Sequence, residues 1–192
     1  MTTPAPSEPL RALLSAHVPR DTKEQEDLAL MRRFAAELEQ PLSRAQPRAH
    51  FTASAVVVDP SGERVALVLH GKLQRWLQPG GHVEEADGGC LETSALREVR
   101  EETGCRVALH PRAPRPLDVD VHGIAARKSE PEHLHLDVRF LVVAENPEAL
   151  LHDPNESAGA QWLGWDEALA RTQGELALRR LLEKARAVVG QG

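Results

Sequence analysis

The chain has no tyrosine, and with three phenylalanines and three tryptophans its aromatic content is only 3% of 192 positions. A stacking platform for single-stranded nucleic acid needs more aromatic faces than that. The two cysteines, Cys90 and Cys105, are too few for a disulfide framework and form no metal-ligand pair. Positive charge is also scarce: 23 lysines and arginines stand against 29 aspartates and glutamates, a formal net charge of −6, with no cluster of five basic residues. Grip on a nucleic-acid duplex depends on neutralising phosphates with a basic surface, so no duplex partner is expected. Apolar runs such as Ala55 to Val58 and Phe140 to Ala144 fall far short of the ~20 residues that span a bilayer, so no membrane partner is expected either. The first residues, MTTPAPSEPL, lack the basic start and apolar stretch of a secretory signal, and a cytoplasmic protein with free thiols is the expectation.

What remains is ordinary globular material, 41% apolar and 27% charged, of a length suited to one domain with a short addition. Residues 1–45 read as an N-terminal helical extension and 46–192 as the main domain. In the extension, Pro9 to Ala16 suits a short helix, and Asp21 with Glu24 resembles a capping box. Leu28, Met31, Ala35 and Leu38 then recur at helical spacing until Pro41. From Phe51 the period changes. Ala53 to Val58 and Arg64 to His70 flank an Asp-Pro-Ser-Gly turn and predict a hairpin, followed by a loop from Trp76 to Val83. A helix from about Leu91 to Thr103 stops at Gly104. Strands near Leu117 to His122 and His133 to Val143, a stretch Gln161 to Trp165, and an amphipathic helix Glu175 to Val189 complete the pattern. Interspersed strands and helices predict an α+β fold in helix-sheet-helix layers.

Chemistry concentrates in Arg97-Glu98-Val99-Arg100-Glu101-Glu102-Thr103-Gly104. At ~100° per residue, Glu98, Glu101 and Glu102 occupy one arc of roughly 100° on a helix, while Ala95, Leu96 and Val99 fall on the adjoining arc. Like charges three and four apart repel, and either full solvation or a bridging divalent cation removes the conflict. Hard, small Mg²⁺ suits such oxygen donors together with phosphates. Upstream, Gln78-Pro79-Gly80-Gly81-His82 is a turn whose glycines let a ligand approach the backbone.

Together these segments resemble the signature of the Nudix hydrolase superfamily, a glycine followed by an Arg-Glu-aliphatic-x-Glu-Glu-x-Gly run. Gly81, Arg97, Glu98, Val99, Glu101, Glu102 and Gly104 match it. Two positions depart: Asp87 stands where the pattern has a glutamate, in a loop two residues longer, and Cys105 replaces a final aliphatic residue. The resemblance implies an α/β/α sandwich with a mixed sheet and hydrolysis of a nucleoside diphosphate linked to another group, with Mg²⁺ or Mn²⁺. By the same resemblance Glu98, Glu102 and the Gly81 carbonyl would hold metal, Glu101 would do so directly or through water, and Arg97 would position a glutamate by a bidentate contact. The general base would be Glu98 or a late-loop glutamate, for which Glu156 is the candidate. A non-catalytic nucleotide-sensing domain is the alternative function, and a homodimer is compatible with the resemblance.

A second constellation lies outside the signature. Alternation puts His133, His135, Asp137 and Arg139 on one strand face, and Asp118, Asp120 and His122 on one face of the preceding strand. This is open to three readings: a wet polar strand face, substrate recognition with Arg139 on phosphate and His133 and His135 on a polar leaving group, or a separate transition-metal site. Trp76 and Gln78, beside the glycine turn, are further candidates for substrate contact, with core packing the competing role for the indole.

Overall fold

The computed structural model describes residues 7–126, 131–152, 154, 157–172 and 174–190. Among them, eight strands form one sheet: β1 (Ala49–Val58), β2 (Arg64–His70), β3 (Arg75–Leu77), β4 (Gly80–His82), β5 (Val107–Leu109), β6 (Asp118–Ile124), β7 (His133–Ala144) and β8 (Ser157–Gly164). The helices are α1 (Ser7–Ala16), α2 (Thr22–Glu37), α3 (Leu91–Thr103), α4 (Trp165–Arg171) and α5 (Leu176–Val189).

The central pair, β1 and β7, is parallel from Ala49 opposite Leu134 to Val58 opposite Val143. The remaining pairings are antiparallel, so the sheet is mixed. Alternation along the central strands sorts their apolar side chains into two layers. Phe51, Ala53, Val138 and Phe140 pack on one face with Ala95 and Val99 of α3 and with Leu28, Met31 and Phe34 of α2. Val56, Val58 and Leu141 pack on the other with Leu178, Leu181 and Leu182 of α5. Each Val, Leu, Met or Phe side chain buried in this way contributes roughly 1.5–3 kcal/mol. The result is the three-layer α+β arrangement that the periodicities predict. Cys90 and Cys105 are both free thiols, and burial pushes the Cys105 thiol up, as suits a small core residue. No helix among the described residues is long and apolar enough to cross a membrane.

The expected hairpin, signature helix and closing helix form at their predicted places. The N-terminal helices form too, and Leu28, Met31, Ala35 and Leu38 are buried in the core. Two details differ. Asp21 does cap α2, accepting from the Glu24 N–H at 2.8 Å, but the Glu24 carboxylate does not return to Asp21. It accepts from the Arg20 N–H at 2.7 Å, meets His17 at 2.8 Å and pairs with Lys184 of α5 at 2.6 Å. A fully buried carboxylate takes the strongest donors within reach, and here they come from across the fold. The segment expected as a loop, Trp76 to Val83, also contains strand: β3 pairs with β2, and β4 pairs with β1 through Ala53 opposite Gly81. Each piece is only three residues long, β4 being Gly-Gly-His, and both are held by the backbone donors and acceptors of longer neighbours.

Candidate active site

The signature helix lies over β1 and β4 with its apolar arc, Ala95 and Val99, facing the sheet. That anchoring turns Glu98 and Glu102, one turn apart, toward the glycine strand. Both are nearly buried, at 9% and 8% exposure, while Glu101 stands out toward solvent. The Gly80 N–H donates to Glu102 Oε1 at 3.2 Å. A Cβ placed on Gly81 would lie 2.7 Å from the Glu98 carboxyl carbon and from both of its oxygens. One on Gly80 would sit 2.6 Å from Ser54 Cα and 2.7 Å from the Ala53 carbonyl oxygen. Gly80 lets β4 pack directly on the β1 backbone, and Gly81 lets the Glu98 carboxylate approach the main chain, so the backbone itself forms one wall of the carboxylate cradle.

Arg97 organises the other wall. Its fork is bidentate to Asp87, with Nε to Oδ1 and Nη2 to Oδ2 both at 3.0 Å. Nη2 also donates to the His82 carbonyl at 2.8 Å, and Nη1 donates to Glu98 Oε1 at 3.0 Å and Glu101 Oε2 at 2.8 Å. The expected bidentate contact with a signature glutamate is thus made with Asp87 instead. Planar guanidinium matches a carboxylate edge on, and Asp87 presents that edge from the short turn Glu85–Asp87. Asp87 further accepts from the Glu84 N–H and the Ser94 hydroxyl. Burial pushes the Asp87 carboxyl up, but hydrogen bonds from Arg97, Glu84 and Ser94 outweigh it and leave it below the usual carboxylate range. The Arg97 guanidinium is held still more firmly in its charged form, chiefly by Asp87. The two-residue insertion therefore keeps an acid in contact with the signature helix. Gly104, left-handed at φ +70°, ends that helix, and its N–H returns to the Arg100 carbonyl.

The oxygen donor set fits Mg²⁺ or Mn²⁺: Glu98, Glu102 and the Gly81 backbone converge, with Glu101 at the solvent side. No Cβ obstructs the approach at Gly81. Gln78 lies beside the same turn, its side-chain amide donating to Ser54 Oγ at 3.3 Å. Trp76 is half-buried against the α4–α5 cluster, with the Arg171 guanidinium 4.7 Å above its ring. Glu156 lies outside the described residues.

The second constellation is assembled by strand register. The rows His50/His135/His122, Thr52/Asp137/Asp120 and Ser54/Arg139/Asp118 run across β1, β7 and β6. Arg139 is only 4% exposed, with Asp137 at 2.9 Å, Asp120 at 3.0 Å and Asp118 at 3.6 Å around its guanidinium. Arg180 of α5 forks onto Asp118 at 2.9 and 3.0 Å. The expectation that Arg139 meets a phosphate gives way to this geometry, because its positive charge is enclosed by three aspartates. His133 and His135 pack against His50, with ring centroids 4.9 and 4.8 Å from it. His50 and His82 are members of the cluster that periodicity did not single out; only the pairing of β1 with β7 and β4 brings them there.

The NUDIX domain family model matches residues 48–185 of the chain. Among solved structures, a NUDIX-family hydrolase from Clostridium perfringens is 24% identical, with 73% of this chain and 96% of that chain covered at a TM-score of 0.51. An Ap4A hydrolase from C. elegans, solved as a binary complex, is 17% identical, with 74% and 98% covered and the same TM-score of 0.51. At these identities the likeness speaks to the fold. A comparison with curated proteins finds no match.

Proposed function

The chain belongs to the NUDIX domain family, and we propose on that footing that it is a metal-dependent pyrophosphohydrolase acting on a nucleoside diphosphate linked to a second moiety. The observation that carries this reading is the contact of Glu98 and Glu102 with the Gly80–Gly81 backbone, which completes an all-oxygen cradle. Glu98, Glu102 and the Gly81 carbonyl would hold Mg²⁺ or Mn²⁺, with Glu101 at the outer edge. A cation held there would neutralise diphosphate charge and acidify a water.

The chain's own residues have separable tasks. Arg97 holds Glu98 and Glu101 in place through its Nη1 while Asp87 fixes the guanidinium plane. Glu98 is the base, taking the proton of the water that attacks phosphorus as the bridging P–O bond breaks; Glu156, from the late loop, is the competing assignment. Gln78, beside the turn, contacts the substrate. Trp76 offers a base only the ring face opposite Arg171.

A panel of nucleotides with pyrophosphate linkages, offered with Mg²⁺ and with Mn²⁺ and read by product separation, tests the reading. Hydrolysis between the phosphates is expected, with Glu102→Gln lowering turnover about 10²- to 10³-fold and leaving the fold intact, the equivalent of roughly 3–4 kcal/mol of lost stabilisation. Tight binding of one panel member without cleavage would instead make this a nucleotide-sensing domain. Turnover retained in Glu156→Gln leaves Glu98 as the base, and turnover lost there with Mn²⁺ affinity unchanged moves the base to the late loop.

A further inference from the structure

The geometry points to a second metal site, built of nitrogen donors: His50, His133 and His135 form a pocket for a divalent transition-metal ion of the zinc class, separate from the carboxylate cradle. Their ligand atoms all lie within 4.8 Å of one another. Around a tetrahedral ion with Zn–N bonds of ~2.0–2.1 Å, ligand nitrogens stand about 3.3 Å apart, so closure asks each pair to draw in by at most about 1.5 Å. Side-chain rotation covers that distance without moving the strands.

Two observations favour an ion over stacked rings alone. First, the strands that carry the histidines are fixed independently of them, by the β1–β7 pairing of His50 with His135. The site is therefore preorganised. Second, the His133 Nδ1–H donates to the Pro131 carbonyl at 2.8 Å, which selects the tautomer whose Nε2 carries the lone pair. This is the orienting contact that metal-bound imidazoles usually have. His122, beside the cluster, bears the equivalent contact to Asp120 at 3.0 Å.

Access and selectivity follow from the surroundings. His135 is half-buried and His122 is exposed, so an ion can enter from the β6 side. His82 and His122 stand 5.1 and 5.6 Å by ring centroid from His135 and can supply a fourth ligand. The nearby carboxylates do not compete, because Asp137 and Asp120 are engaged by Arg139. An all-imidazole set prefers Zn²⁺, Co²⁺, Ni²⁺ or Cu²⁺ to Mg²⁺, the opposite preference to the carboxylate cradle.

The test uses the full chain stripped of metal and titrated with Co²⁺ in excess Mg²⁺. The expected result is one tightly bound equivalent with a visible d–d absorption that Zn²⁺ displaces. His133→Gln and His135→Gln should each weaken Co²⁺ binding at least ~100-fold, since loss of an orienting neighbour alone costs 10–100-fold. Glu98→Gln/Glu102→Gln should retain the signal, which separates this site from the hydrolytic reading. Zinc-edge X-ray absorption on the wild type, which needs no variant to fold, should show imidazole nitrogen ligands. Absence of a 1:1 complex in the wild type, or a signal lost in the glutamate variant and kept in the histidine variants, would overturn the proposal.

Discussion

Replacing Gly81 by alanine tests the cradle at its tightest point. The added carbon would stand 2.7 Å from the Glu98 carboxyl carbon and both oxygens, against about 3.4 Å for an ordinary contact, so something must yield by 0.7 Å (3.4 − 2.7). Two movements relieve the clash. β4 can retreat, at the expense of its pairing with Thr52, Ala53 and Ser54, or the Glu98 side chain can swing away. Overpacking of this kind costs about 1–3 kcal/mol, and the side chain is the softer of the two. For a chain of this length that corresponds to a fall in Tm of roughly 2–12 °C. Catalysis should suffer far more, because misplacing a reacting group by about 1 Å costs about 10²-fold. Expected, then, is a folded Gly81→Ala protein with kcat down about 10²-fold and weaker Mn²⁺ binding by electron paramagnetic resonance. Gly159→Ala, where an added carbon meets nothing within 4 Å, is the control and should match wild type. Wild-type turnover together with wild-type Mn²⁺ affinity in Gly81→Ala would refute the idea that Glu98 and the glycine backbone form one site.

Three further outcomes can be measured. Arg139→Met leaves Asp118, Asp120 and Asp137 without their shared cation and should destabilise by about 3–5 kcal/mol in urea unfolding; a loss below 1 kcal/mol would show that the remaining cations, Arg180, Lys184 and Lys23, suffice. Arg97→Lys keeps the charge but cannot reproduce the fork on Asp87, so both Tm and turnover should fall, turnover by at least about tenfold; unchanged values would deny Arg97 its positioning role. Acid should unfold the protein in two stages of the same sign. His135, pushed down to about 2, is neutral in the fold while the unfolded imidazole protonates near 6.5, so stability erodes as pH falls below about 6.5. Glu24 is raised by burial but brought down to about 2 by His17, Lys184 and the Arg20 N–H, so its contribution is complete above about 4.5 and is lost as pH falls toward 2. That second stage is worth about 3–4 kcal/mol (4.5 − 2 pH units at about 1.4 kcal/mol each). Glu24→Gln should flatten the profile below pH 4.5 only, and a wild-type profile level from pH 6.5 to 3 would contradict both assignments.

Local order in this chain is written in short-range terms, and so could be read directly. Helical spacing placed Leu28, Met31 and Ala35 in the core, Gly104 ended the signature helix, and the spacing of Glu98, Glu101 and Glu102 put three carboxylates on one arc. Each of these depends on neighbours within a turn or two. What Asp87 does is a different matter: its fork with Arg97 spans ten residues and depends on how the intervening turn closes. The same holds for Glu24, one of whose partners, Lys184, is at the far end of the chain, and for Arg139, whose exposed appearance on an alternating strand disappears once β6 and α5 close over it. Alternation determined which face each histidine shares with its strand neighbours, but only the parallel register of β1 on β7 placed His50 beside His135, and only the pairing of β4 with β1 added His82. Register is a long-range quantity, set by which strands meet and in which direction, and no local period encodes it.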